Sequence, residues 1–395
     1  MAHLLRKGIV SAVAILSPSA IALAIAMDIY VPAVPKLVQI FNTDELHLEL
    51  TLVLFMVFSG LAQLIIGPLS DQFGRIRVLL ISIALFTFGS FLCALADNIT
   101  MLILFRILQA IGSCGMMVTV NAIVRDVFSG VKSAKVYSYI NGIIAFSPLL
   151  APAVGSFIDL HFGWRWIFVF AGALGILNFI LALTMDETLS KRNRQPFSWG
   201  IFGRYAQVLG NRQFVLYALS ATFGLSYLFT FFAISSFILM QLLHVPEAKF
   251  GLYFAFMGAS FFVGSLISGQ VVGKLGVYRT VMMGNAIALL GGIIMVTWFE
   301  LYGLSVAGFV IPMLPIGIGG TICMGSGASG AMEPFSAFPG AASATMGCME
   351  FLLSAIIGAI AAGTEVTSPL PLGVGAVIFS MGLLIAFPLC NRNNT

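Results

Sequence analysis

Charge is what this sequence lacks most. Only 9% of its 395 residues are Asp, Glu, Lys or Arg, where soluble domains carry about 25%, and that scarcity excludes a water-soluble globule. Cysteine is sparse as well. Cys93, Cys114, Cys323, Cys348 and Cys390 form no CxxC pair, which argues against a disulfide framework or a thiolate metal site and leaves small packing residues. The histidines, His3, His47, His161 and His244, fall near the ends of apolar runs or in loops, without an HExxH, and no GxxxxGK[ST] loop occurs. Nothing therefore points to direct use of ATP, no metal or cofactor is expected, and an enzyme is not expected. A net charge of +4 is too modest to suggest a nucleic-acid partner.

Hydrocarbon is abundant: 59% of the residues are hydrophobic and the mean hydropathy is +1.05. Apolar runs of roughly 20 residues, enough to cross ~30 Å of bilayer at ~1.5 Å per residue, recur along the whole chain. They are too long and too evenly apolar for the alternating strands of about ten residues that build a barrel. The fold class is therefore all-α integral membrane protein. Twelve spans are expected, at 8–31, 49–70, 77–96, 98–124, 135–159, 164–185, 213–241, 249–273, 278–299, 303–327, 341–362 and 370–390. Arg6 and Lys7 before the first run give the look of an export signal, but that run is longer than a signal core and no soluble domain follows it.

Basic residues set the expected orientation. With the N-terminus in the cytoplasm, Lys36, Arg165 and Lys249 fall outside and Arg106 falls within span 4, which leaves fifteen of the 19 Lys and Arg on the inner side. Such an excess predicts both termini inside. The longest polar connection predicts a division into residues 1–185, a linker 186–212 and residues 213–395, with six spans in each half. An internal repeat supports that division: Gly67, Leu69, Asp71, Gly74 and Arg77 recur, at a constant offset of 202, as Gly269, Val271, Gly273, Gly276 and Arg279. Two repeated halves predict two pseudo-symmetric six-helix bundles that rock about a central path.

Against this apolar background the ionisable residues inside spans stand out. Asp28 lies in MDIYVPAVPK, where span 1 breaks at Pro32 and Pro35. Arg106, Gln109 and Ser113 recur at i, i+3 and i+7, one polar stripe on span 4. An arginine at mid-span costs about 2.5–3.5 kcal/mol on insertion scales, so it should face a cavity or a carboxylate, most simply Asp28, or else snorkel to the headgroups. Glu350 falls deep in span 11, either as a substrate-specific carboxyl or as a protonated packing residue. Tyr30, Tyr137, Tyr139, Tyr227 and Tyr253 are candidates to line an apolar pocket. In GPLSDQFGRIR, Gly67 would permit a close helix approach and Gly74 a tight turn, while Asp71 would pair with Arg75, with Arg77 as the second basic residue.

Those motifs resemble the major facilitator superfamily over essentially the whole chain. GPLSDQFGRIR is similar to the family's signature after span 2, FRILQAIGSCG to its Arg-x-x-Gln-Gly-x-Gly pattern, and span 5 to its antiporter signature Gly-x-x-x-Gly-Pro-x-x-Gly-Gly. In that span Ser147, beside Pro148, and Ala151 replace the first two glycines, Pro152 and Gly155 are kept, and Ser156 replaces the last glycine. Asp-x-Tyr-x-Pro-x-x-Pro at Asp28, Tyr30, Pro32 and Pro35 resembles the drug/proton antiporter branch typified by Bcr/CflA transporters, as do GWRWIFVF at 163–170 and PFSAFPGAASATMGCMEF before and within span 11. The resemblance implies a proton-coupled efflux transporter of the bacterial inner membrane, working by alternating access on small amphipathic drugs, with Asp28 in coupling or substrate binding and the Asp71 segment as cytoplasmic gate. It implies a small molecule and protons as partners, and a monomer that suffices for function. Export of an endogenous metabolite or siderophore, or proton-coupled uptake, uses the same residue types and stays open.

Overall fold

The computed structural model describes residues 8–128, 132, 136, 139–140, 143–144, 146–190, 194, 200–335, 339–363 and 368–392. Among them the regular structure is helical and no strand occurs. Ten helices are long and apolar enough to cross a membrane. The longest, Glu247–Tyr302, is two helices in one run, because Gly276 (φ 76, ψ 166) breaks it. Dividing it there, and counting the shorter apolar helix Leu150–Phe162, gives a helix for each of the twelve expected spans. The protein is a multi-pass membrane protein.

Several boundaries differ from the expected ones, each for a local reason. Span 1 stops at Asp28, since the prolines restart the chain as a 3-10 turn, Val31–Ala33, and a short helix, Val34–Ile40. Pro32 and Pro35 sit in the first turns of these segments, where a missing N–H breaks no helical bond. Span 2 begins earlier, at Glu45, because the Asp44 carboxylate caps it by accepting from His47 N at 2.7 Å. That backbone hydrogen bond, and a second from the His47 ring, hold the exposed Asp44 carboxyl below its usual range. Asn98, Asn211 and Ser305 open spans 4, 7 and 10 in the same way. Span 5 is a helix from Ser147 to Phe162, and much of its expected first half lies outside the described residues. Span 7, Arg212–Ser236, ends in a π-turn, Phe237–Leu242.

The chain forms two compact units, Met1–Trp199 and Gly200–Thr395. In the first, span 4 (Ile99–Val127) packs on span 3 (Arg75–Ala94), and the fit depends on small residues. A Cβ on Gly112 would overlap the backbone of Phe86 and Ser82. A Cβ on Gly89 would lie 2.8 Å from Gln109 N. Lipid tails are as apolar as leucine, so such close backbone packing takes the place of a hydrophobic driving force. In the second unit Phe214, Ala218, Ala331, Phe335 and Met346 form a buried cluster. Phe231, Phe232, Phe254 and Phe309 form an aromatic one. Cys93, Cys114, Cys323 and Cys348 are buried thiols outside any disulfide.

The repeat has a structural meaning. Gly74 (φ 103) and Gly276 (φ 76), equivalent at the offset of 202, both carry a positive φ and both separate two consecutive spans. Only glycine adopts such an angle at little cost. Gly67 differs: within its own half a Cβ there would meet nothing within 4 Å, so no close approach inside that half depends on it. Gly112→Val should therefore destabilise the purified protein by about 1–3 kcal/mol, while Gly67→Ala leaves its midpoint of thermal unfolding in detergent unchanged. Equal midpoints for both variants would contradict this packing account.

Candidate functional site

The first unit buries its ionisable side chains at two levels. Toward the expected outer side, Asp28 is the last residue of its helix yet only 3% exposed. Its Oδ2 accepts a hydrogen bond of 2.6 Å from the Ser147 hydroxyl of span 5. Span 5 lies hard against this helix end, for a Cβ on Gly155 would overlap the Ile29 carbonyl oxygen. Ala151 is buried in the same helix, Pro152 lies inside it, and the Pro148 side chain lies outside the described residues.

Arg106 is fully buried, so it does not snorkel. Nor does it pair with Asp28. Its Nη1 donates to the Ala26 carbonyl at 2.8 Å and to Gln109 Oε1 at 2.7 Å. Gln109 Nε2 then donates to Ser90 Oγ at 2.8 Å, and Ser90 donates to the Phe86 carbonyl at 2.7 Å. The guanidinium carbon sits 4.2 Å from the centroid of Phe55, 5.0 Å from Tyr30 and 5.9 Å from Phe168. Carbonyl dipoles and ring faces together meet the charge where the sequence suggested a carboxylate. Ser113, third in the polar stripe, is also buried but donates to Ala110 O of its own helix.

At the expected cytoplasmic end, Arg75 gathers a network. It pairs with Asp71, four residues before it across the Gly74 break, and its Nε lies 2.9 Å from Asp126 at the end of span 4. Its Nη1 donates to Ser70 Oγ at 2.6 Å. Its backbone N–H donates to Glu187 Oε1 at 2.8 Å, so a carboxylate beyond span 6 caps the helix that opens after Gly74. Glu187 also pairs with Arg194, at 3.7 Å. Arg77 is exposed and takes no part in this network.

Other residues fall elsewhere. Glu350 lies mid-helix in Pro339–Gly363, half-buried, and makes no hydrogen bond or ion pair among the described residues. Of the candidate pocket tyrosines, Tyr30 and Tyr227 are buried, Tyr227 hydrogen-bonded to Ser380 and Tyr30 packed on Phe168, while Tyr139 is exposed. Tyr253 is half-buried, and Tyr137 lies outside the described residues. Sequence reasoning missed Asp126 and Glu187, although acids are rare enough here for each to merit attention. It also treated Lys36 as a topology marker only, whereas Lys36 Nζ lies 2.9 Å from the buried Asp159, joining the outer ends of spans 1 and 5. Glu49, buried at the start of span 2, was likewise unremarked. Among the described residues no cluster of His, Cys, Asp and Glu is arranged to hold a metal.

Known proteins agree with this architecture. The chain is 30% identical over 360 residues to a chloramphenicol resistance protein of Pseudomonas aeruginosa, covering 90% of this chain and 84% of that one. It is 28% identical over 368 residues to the multidrug resistance protein MdtL of Salmonella heidelberg (strain SL476), covering 91% and 88%. Among solved structures, the human organic anion transporter MFSD10 (TETRAN) shares the fold with a TM-score of 0.70 at 16% identity, over 94% of this chain and 98% of that one. The model of the Major Facilitator Superfamily matches residues 16–362, most of the sequence, and the chain belongs to that superfamily.

Proposed function

We propose that this protein expels small amphipathic compounds, drugs among them, in exchange for protons by alternating access, and that it does so in the bacterial inner membrane with both termini in the cytoplasm. The relatives named for chloramphenicol and multidrug resistance support the efflux reading. The excess of basic residues on one side supports the orientation. A proton moving down about one pH unit supplies about 1.4 kcal/mol and ~100 mV adds about 2.3, enough for a several-hundred-fold substrate gradient.

One observation carries the coupling: Asp28 is a buried carboxyl whose hydrogen-bond partner is a neutral hydroxyl, while the nearby buried arginine is engaged elsewhere. An acid held this way can take up or release a proton without first breaking an ion pair. Arg106 then serves as the fixed positive centre that ties span 4 to the span 1 backbone two residues before Asp28. Glu350 is a second carboxyl, in the other half, suited to balancing a cationic substrate. At the cytoplasmic end, the Arg75 network with Asp71 holds spans 2, 3 and 4 together as a gate.

The test is transport in proteoliposomes with an imposed pH gradient, using chloramphenicol as a neutral probe and ethidium as a cationic one. Asp28→Asn should abolish pH-driven flux of both while expression and monodispersity are kept, and undiminished flux would remove Asp28 from coupling. Arg106→Ala should inactivate, and Arg106→Lys should recover only part of the rate because lysine lacks the planar fork. Full activity of the alanine variant would show that the buried charge is dispensable. Glu350→Gln should slow ethidium by about tenfold, about 1.4 kcal/mol of lost stabilisation, and spare chloramphenicol. Equal rates for both probes in wild type and variant would leave Glu350 a packing residue.

A further inference from the structure

The residue facing Asp28 is not one that the antiporter-type pattern supplies. That pattern has glycine where this chain has Ser147, and the serine hydroxyl lies 2.6 Å from Asp28 Oδ2, across 119 residues of sequence. Both side chains are buried, so water does not compete for the bond. We propose that Ser147 is a positioning residue for proton exchange, a hydroxyl on span 5 that sets when Asp28 holds its proton. This rests on the reading of Asp28 as the coupling acid.

Three features of the chain support it. First, a hydroxyl serves both forms of the carboxyl: it donates to the carboxylate, and it accepts from the acid by rotating its own hydrogen. The bond thus survives protonation with its direction reversed. Second, Ser147 opens its helix, and Pro152 lies one turn and a residue further on. Pro152 lacks the N–H that would bond the Pro148 carbonyl, so the helix is weakest just beyond Ser147. Third, Gly155 presses the following turns onto Ile29, next to Asp28. Movement of span 5 at its weak turn would make or break the Ser147 bond while the Gly155 contact keeps its place.

Other charged groups near Asp28 are engaged otherwise. From span 4, Arg106 is bonded to Ala26 O and Gln109. From span 5, Asp159 is paired with Lys36 toward the outer end, and His161 bonds Phe157 O. Span 6 brings Arg165, at its exposed start, bonded to Ala96 O. Span 2 brings the buried Glu49 near its own outer end, and Tyr30 follows Asp28 with its phenol on Thr51. Ser147 alone among these is hydrogen-bonded to the Asp28 carboxyl.

The experiment is carbodiimide labelling of Asp28 in the purified full-length protein across a pH series, read by mass spectrometry. Dicyclohexylcarbodiimide adds to protonated carboxyls in apolar surroundings, and no transport substrate is needed. Ser147→Ala and Ser147→Gly should each displace the labelling midpoint by about half a pH unit or more, a change of about 0.7 kcal/mol or more in proton affinity, and Ser147→Thr should restore it. Superimposable curves for wild type, the alanine and the glycine variants would overturn the proposal and leave the Asp28 reading intact. If Asp28 is labelled in no variant at any pH, it has no exchangeable proton and both readings fall. Pairing these curves with the Asp28→Asn flux measurement separates the two failures, because that flux does not depend on Ser147.

Discussion

The constraint on which everything else depends is that the bilayer core offers no water to a polar group. A guanidinium buried there must find all its compensation within the protein. Arg106 finds part of it through Nη1, on the Ala26 carbonyl and the Gln109 amide, while Nε and Nη2, without a hydrogen bond among the described residues, have the ring faces of Phe55, Tyr30 and Phe168 near the guanidinium. Those contacts come from spans 1, 2, 4 and 6, so one charge draws four helices to a common point. The Gln109–Ser90 bond adds span 3, and Gly112 lets spans 3 and 4 approach closely enough to form it. Removing the charge would therefore loosen a bundle as well as a site.

Asp28 meets the same constraint by a weaker route. The two prolines end its helix, and among the described residues Ser147 supplies the one hydrogen bond made to the carboxyl. An ion pair would be harder to break at each cycle, because separating two buried charges costs several kcal/mol. A hydroxyl partner leaves the carboxyl exchangeable. On the proposed reading, this division of labour between a fixed cation and a loosely held acid would let the protein change protonation state without unfolding its core.

At the expected cytoplasmic end, where charged side chains cluster, the same chemistry produces a different device. Arg75 joins Asp71, Asp126 and Ser70, while Glu187 reaches back to cap the helix that Arg75 begins. Spans 2, 3, 4 and the segment after span 6 are thus tied by one residue just past a glycine turn. The second half repeats the glycine turn at Gly276 without repeating the acid, since Gly273 stands at the position of Asp71. The backbone break is common to both halves, and the charge network belongs to the first.

What the sequence by itself determined was whatever depends on local composition and spacing. Apolar runs of membrane length made the spans, Gly74 and Gly276 marked turns that only glycine tolerates, and the prolines after Asp28 ended a helix. Side-chain partnership was decided only by the tertiary structure. Arg106 and Asp28 looked like natural partners because opposite charges in hydrocarbon attract strongly, yet whether they meet depends on helix rotation and on a hydroxyl from span 5. Gly67 looked like a packing glycine, but its face meets nothing in its own half. Glu187 gave no local sign that it caps a helix more than a hundred residues earlier. Periodicity along one helix tells which residues share a face, and the partner that face meets is fixed by how the other helices pack around it.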